Sequence, residues 1–329
     1  MLKYILKRIG ISILLLLGVS FILYALLRCM PTDFVEQKII ALATSGNTVT
    51  KEFKEALYEA YGLDGNIIQG YFNWLGNICR LDFGNSFKSQ RPVLQEIFSA
   101  DRMGTSFIVA AIATVFEFLI AIPLGITAAT HQYSFRDYLV TVLVLIGISL
   151  PSFFFGQVLK AVFANTLGWF PPEGMFDASI THANVFEWIS DYASHLFLPV
   201  LTVVILSIGS RMRMTRTNML EVLNSDYIRT ARAKGLPENK VIYKHAFRNT
   251  LIPLVTSLAG LIPGLFSGAM ITESVFKLSG IGQYALEAMQ MGDIPVIMAY
   301  NMFLAVLSVT GVLLSDLMYA VVDPRVKLA

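Results

Sequence analysis

Six apolar tracts, at about 9–27, 105–129, 139–164, 196–212, 251–272 and 297–321, constrain this chain more than any other feature. A helix that crosses a bilayer needs roughly 20 predominantly apolar residues, and most of these tracts reach that length. The fourth is short and the fifth contains a proline, which a bundle tolerates because neighbouring helices satisfy the freed backbone groups. Of 329 residues, 55% are hydrophobic and 15% charged. Soluble domains carry about 25% charge, so the polar surface here is too small to cover a water-facing domain. The expected fold class is all-α, a polytopic membrane helical bundle of about six transmembrane helices.

Orientation follows from the Lys and Arg of the short flanking segments. The start is basic, with Lys3, Lys7 and Arg8. Residues 161–210 contain no Lys or Arg but hold Glu173, Asp177, Glu187 and Asp191, which places that stretch outside. Residues 211–248 hold nine basic residues against three acids, which places them inside. Six passes then leave both termini cytoplasmic, in agreement with Arg325 and Lys327. The first tract is too long for a signal-peptide core, and Arg28-Cys29-Met30-Pro31 is no small-residue cleavage site, so it reads as an uncleaved span. The chain divides into a tip and first span (1–29), an extracytoplasmic segment (30–104) and a five-helix core (105–329) that includes a cytoplasmic loop at 211–250. Within the outer segment, residues 51–61 read as a short amphipathic helix ending at Gly62. Cys29 and Cys79 both fall outside, and one bridge and two free thiols are equally compatible with the sequence.

The basic loop has more shape than topology requires. Asn224 or Ser225 can cap a helix that starts at Asp226 and stops at Gly235. Pro237 and Glu238 suit the opening turn of a second helix, which runs to about Asn249. On it Lys240, Lys244 and Arg248 recur every four residues, beside an apolar strip of Val241, Ile242, Ala246 and Phe247. Small Ala231 and Ala233 beside Gly235 would let a partner approach closely. A membrane-surface helix resting on lipid headgroups would account for the charge, but not for two capped helices around a glycine.

The run Asp226-Tyr-Ile-Arg-Thr-Ala-Arg-Ala-Lys-Gly235, followed by His245-Ala-Phe-Arg-Asn249 and Leu251-Ile-Pro253, resembles the EAA loop of ABC-importer permeases. More narrowly it is similar to the dipeptide/oligopeptide/nickel permease family, first-subunit type. Arg229-Thr230-Ala231 stands where the general pattern has Glu-Ala-Ala, and His245, Phe247 and Arg248 replace its Ile, Leu and Pro; the peptide branch has the same departures. Further pieces match in order: Tyr4-Ile-Leu-Lys-Arg8, Leu81-Asp-Phe-Gly-Asn-Ser86, Ile122-Pro-Leu-Gly125, Ser149-Leu-Pro-Ser-Phe153, Ser279-Gly-Ile-Gly282 and Val322-Asp-Pro-Arg325. Met30-Pro-Thr-Asp33 departs from the family's Pro-Gly-Asp.

The resemblance implies a type I ABC importer permease in the bacterial cytoplasmic membrane. It would form half of a path for di- or oligopeptides, or alternatively for nickel or a metal chelate. The implied partners are a second homologous permease in a heterodimer, two ATPase subunits, an extracytoplasmic solute-binding protein and membrane lipid, with no nucleic acid. ATP and Mg would reside on the ATPase subunits and no cofactor on this chain. The implied docking residues are Asp226, Tyr227, Arg229, Thr230, Ala231, Arg232, Ala233, Lys234, Gly235, Leu236, Lys244, His245, Arg248 and Asn249.

Within the spans, Gly260, Gly264 and Gly268 form a small-xxx-small ladder. It suits a pathway, a contact with the second permease, or packing within the chain. Pro151 lies in the third tract. Glu117 is an acid inside the second, where charge is expensive and points to function. A substrate amine, a cation of the partner permease, and a protonated neutral carboxyl are all open for it. No HExxH, paired metal-spaced histidines, GxSxG or Gly-x-x-x-x-Gly-Lys-Ser/Thr loop occurs, so neither catalytic nor metal residues are expected. A self-contained secondary transporter or channel is the competing class. It would call for an inverted repeat with paired broken helices, which the sequence does not show.

Overall fold

In the computed structural model, residues 2–30, 34–45, 50–177, 179, 184–267 and 269–322 are described. Gly268, Arg325 and Lys327, with part of the departing piece at 31–33 and of the matched piece at 323–325, lie outside them. Helix α1 (Leu2–Arg28) is followed by four short helices, α2 (Phe34–Thr44), α3 (Lys51–Ala60), α4 (Ile67–Ile78) and α5 (Val93–Ile97). Then come α6 (Ala100–Thr130), α7 (Phe135–Ser149), α8 (Ser152–Leu159) with a π-helical run Lys160–Thr166, and α9 (Val185–Leu223). Beyond a turn lie α10 (Asp226–Ala233), α11 (Glu238–Lys240) and a second π-helical run Val241–Phe247. The chain ends with α12 (Arg248–Ala259), α13 (Leu261–Ser267), α14 (Met270–Val275), α15 (Ile281–Met291) and α16 (Ile294–Val322). No strand forms among the described residues.

Among the described residues four stretches, Lys7–Arg28, Ala100–Thr130, Val185–Leu223 and Ile294–Asp316, are long and apolar enough to cross a membrane unbroken. The other two expected passes are assembled from pieces. Pro151 splits the third: a residue before proline is pushed out of the helical region, and Leu150 adopts ψ 134°. Gly260 splits the fifth, between α12 and α13. Pro123 and Pro199, by contrast, sit inside continuous helices.

The bundle is centred on α6 and α9, which run side by side. Gly125 allows this, because a Cβ there would lie 2.6 Å from Thr215 Cβ and 2.9 Å from the Met212 carbonyl. Beside this contact Arg216 of α9 grips Asp137 of α7 with Nε and Nη2, at 3.0 and 2.9 Å. The corner where α7 begins is thereby fixed to α9. Helix α9 runs through Arg211, Arg213 and Arg216 to Leu223, so the expected loop boundary at 211 moves to Asn224. Counting basic residues cannot reveal that two of these arginines are neutralised by acids inside the bundle.

The outer segment is more integrated than a loose cap. Thr50 caps α3 through a bond from Phe53 N–H at 3.3 Å, and Gly62 ends it at φ +64°. Val93 and Ile97 of α5 are buried against Ile281, Ala285 and Val296. Ser86 donates to Asp293 at 2.6 Å, joining this segment to the start of α16. Both cysteines are free. Arg28, next to Cys29, reaches the Gly65 carbonyl before α4 begins, whereas Cys79 caps its far end. At about 1.5 Å per residue the 12 residues of α4 span well beyond the roughly 7 Å between Cα atoms that a bridge allows.

Candidate functional site

The basic turn between α9 and α12 has two unlike sides. Ile228 and Ala231 of α10, with Val241 and Ala246 beyond the turn, are buried against Ile126, Ala129 and Met219 of α6 and α9. Opposite them Asp226, Tyr227, Arg229, Thr230, Arg232, Ala233, Lys234, Gly235, Lys244, Arg248 and Asn249 are exposed, with Leu236 and His245 half-buried. Ala231 therefore faces the chain's own core, because it is three residues beyond Ile228 on the same face of α10. It cannot offer its methyl to a partner as the sequence suggested.

Helix α10 ends in a Schellman motif. Gly235 N–H donates to the Arg232 carbonyl at 2.9 Å and Leu236 N–H to that of Ala231 at 3.4 Å. Gly235 takes φ +74°, a left-handed conformation that glycine adopts without penalty. Arg232 crosses the turn to Glu238, with Nη2 at 2.7 Å, and that bond holds the Glu238 carboxyl below its ordinary range. Asn249 Nδ2 donates to Tyr227 Oη at 2.9 Å, tying the two limbs together. At the start of α10 Ser225 is the N-cap residue, but its hydroxyl donates back to the Val222 carbonyl at 2.6 Å instead of accepting from the helix. The second limb winds as a π-helix over Val241–Phe247 and passes without a break into α12, so it does not end at Asn249. The turn is thus joined to α9 through Asn224 and Ser225 and is continuous in helix with α12.

Between those helices lies a polar group that the sequence split in two. Glu117 Oε1, on the interior of α6, accepts from Arg211 Nε at 2.9 Å. Arg211 Nη1 also donates to Ser257 Oγ on α12 at 3.3 Å, and its guanidinium lies 5.2 Å from the centre of the Phe118 ring. The cation facing Glu117 is therefore in this chain. A Cβ at Gly264 would meet nothing within 4 Å, and one at Gly260 only the Ser257 carbonyl of the preceding turn at 3.4 Å. Neither glycine serves close packing within the chain; both leave an open face.

The chain matches the family described as binding-protein-dependent transport system inner membrane component over residues 121–328, and that family's N-terminal counterpart over residues 1–120. It belongs to this family. Among similar curated proteins is the oligopeptide transport system permease protein AppB of Bacillus subtilis, 36% identical over 327 residues, covering 99% of this chain and 100% of that one. The dipeptide transport system permease protein DppB of Alkalihalophilus pseudofirmus is 32% identical over 342 residues, covering 99% of this chain and 100% of its own. The chain is thus a multi-pass membrane permease of an ABC transport system that works with ATPase subunits and a binding protein.

At the end of the permease away from the basic turn, two features escaped the sequence reading. Glu273 is fully buried and accepts from Ser106 Oγ at 2.7 Å and Gln283 N–H at 2.9 Å, and also from the Gly282 and Ala269 amides. Ser106 in turn accepts from Ile281 N–H at 2.9 Å. The carboxylate thus caps α15 in place of Gly280, where a Cβ would fall 2.3 Å from Glu273 Oε2. This is the physical reason for glycines in Ser279-Gly-Ile-Gly282. The available hint was an acid closing an apolar tract a few residues before that glycine pair.

Glu173 is held by Lys160 Nζ at 2.6 Å and Lys277 Nζ at 2.7 Å, while Lys160 also donates to the Val275 carbonyl at 3.1 Å. These two ammonium groups hold the Glu173 carboxyl below its ordinary value. A depressed carboxyl stabilises the fold above its unfolded pKa, about 4.3, and that contribution disappears as pH falls through the folded pKa. The melting temperature of Glu173→Gln is therefore expected to lie below that of the native permease by a constant margin from neutral pH to about 4.3, the margin closing in more acid buffer. A margin that persists in strong acid would show that the two lysines contribute nothing through charge.

Proposed function

We propose that this permease forms one half of a translocation path for di- and oligopeptides. A homologous permease supplies the other half, and one of two ATPase subunits grips the exposed face of α10 and α11. The basic end, carrying both termini, faces the cytoplasm, in keeping with the excess of Lys and Arg there. Peptides arrive on an extracytoplasmic binding protein at the opposite end. ATP and Mg belong to the ATPase subunits, and this chain acts without catalytic residues of its own.

The observation that carries the reading is the two-sided turn. Its outer face is open, charged and set by a left-handed glycine, while its inner face is buried in α6 and α9. A closing motion of the ATPases applied to α10 would move α9 and α12 together, and with them the groups around Arg211. Full-length similarity to oligopeptide and dipeptide permeases supports the choice of cargo.

Co-purification with the ATPase subunits, and ATP- and binding-protein-dependent uptake of labelled peptides into proteoliposomes, is the expected result. Uptake by this chain alone would sink the importer reading in favour of a self-contained transporter. Nickel uptake without peptide uptake would replace the cargo.

A further inference from the structure

A cleft of about 650 Å³ opens between α9, the break at Gly260, and α16, within the roughly 300–1,000 Å³ typical of small-ligand sites. Its walls include Ser257, Ser308 and Ser315 and two residues of opposite charge type, Arg211 and Asp316. Each charge has its counter-ion behind the lining. Glu117 stands 2.9 Å behind Arg211, and Arg8 of α1 is 3.0 Å from Asp316. The cleft is therefore neutral overall yet presents one positive and one negative group.

Arg211 retains donors for a guest. A guanidinium has five N–H groups in a rigid fork. Here Nε serves Glu117 and Nη1 serves Ser257, leaving Nη2 with no acceptor among the described residues. A fork of this kind matches a carboxylate in two-point geometry. Compensation by Glu117 has a consequence for transport. A bare arginine in such surroundings would bind an anion tightly, whereas passage requires binding weak enough to allow exit.

We propose that this cleft is a way station for zwitterionic peptides, in which Arg211 receives the terminal carboxylate and Asp316 the terminal ammonium group. The assignment rests on the peptide-permease reading and adds to it how the permease itself recognises its cargo. It accounts for the open Gly260, which lets the peptide backbone approach, and for ionised groups being kept in the bundle at all.

The test uses the assembled transporter in proteoliposomes with saturating binding protein, comparing uptake of trialanine, trialanine amide and N-acetyl-trialanine. Replacing both members of the pair, R211Q with E117Q, leaves no lone charge behind, and co-purification with the ATPase subunits checks that the variant assembles. The native transporter is expected to favour trialanine at least tenfold over both its amide and N-acetyl-trialanine, and the double variant to move trialanine and the amide at one slow rate. D316N is expected to abolish the preference over N-acetyl-trialanine while keeping the preference over the amide. Should the double variant fail to assemble, D316N, at the more accessible end of the cleft, decides alone. Unchanged preferences in the variants would overturn the assignment. Failure of the native transporter to take up any of the three, with nickel uptake intact, would overturn instead the peptide reading beneath it.

Discussion

Glu273→Ala is expected to lower the stability of the folded permease by about 3–5 kcal/mol, read by SDS-titration unfolding in mixed micelles. The substitution leaves buried Ser106 without its acceptor and strips the amides of buried Gly282 and half-buried Gln283 of theirs. Each buried donor left unsatisfied costs about 1–3 kcal/mol. Helix α15 also loses the anion at its positive end, worth about 0.3–1 kcal/mol. Glu273→Gln keeps one oxygen but turns an amide against the donors, so an intermediate loss of about 1–3 kcal/mol is expected. Helix α15 carries Ile281, Ala285 and Ala288 into the core shared with α5 and α16, so the damage should spread to the outer segment. A loss below about 1 kcal/mol for the alanine variant would mean that water or a shifted backbone replaces the carboxylate, and that the glycines at 280 and 282 need another explanation.

How far the sequence reached depended on whether a feature was local. Four of the expected passes were legible because each is a continuous apolar tract whose length the bilayer dictates. The turn at Gly235 was legible for the same reason: its cap, its glycine and its proline lie within a dozen residues. What failed required knowing which distant residues meet. Glu117 and Arg211 are 94 positions apart; alone, the first left a substrate amine, a partner's cation and a neutral carboxyl open, and the second read as a positive-inside charge. Gly260 and Gly264 form a ladder in sequence, yet the close helix approach is made by Gly125, whose neighbours Thr215 and Met212 lie on another helix. Ala231 followed the family pattern for docking, but its placement three residues after Ile228 turned it inward. The π-helical run Val241–Phe247 also escaped, since a spacing of four between Lys240, Lys244 and Arg248 reads equally well on an ordinary helix.

Gly235 gives the second large effect, and the structure changes what kind of effect it is. A Cβ at this position would meet nothing within 4 Å, so a larger side chain has room. The penalty comes from the backbone. At φ +74° an ordinary L-residue costs about 1–2 kcal/mol, a β-branched one more, and asparagine least. The turn can escape that strain only by giving up the bonds from Gly235 and Leu236 that close α10, together with the bridge from Arg232 to Glu238. Because α9 and α12 hold their own buried contacts, membrane insertion should survive in every variant. Docking should not, since α10 and α11 would no longer share one outer face. A strain of about 1.4 kcal/mol corresponds to a tenfold fall in the correctly shaped turn. ATPase co-purification and peptide uptake are therefore expected to decline together in the order Gly, Asn, Ala, Val at position 235, with Val at least tenfold below Gly. Equal ATPase recovery and equal uptake for Gly235→Val would show that the partner does not read the shape of this turn. A Val variant that fails to reach the membrane would show that the turn serves folding, not docking.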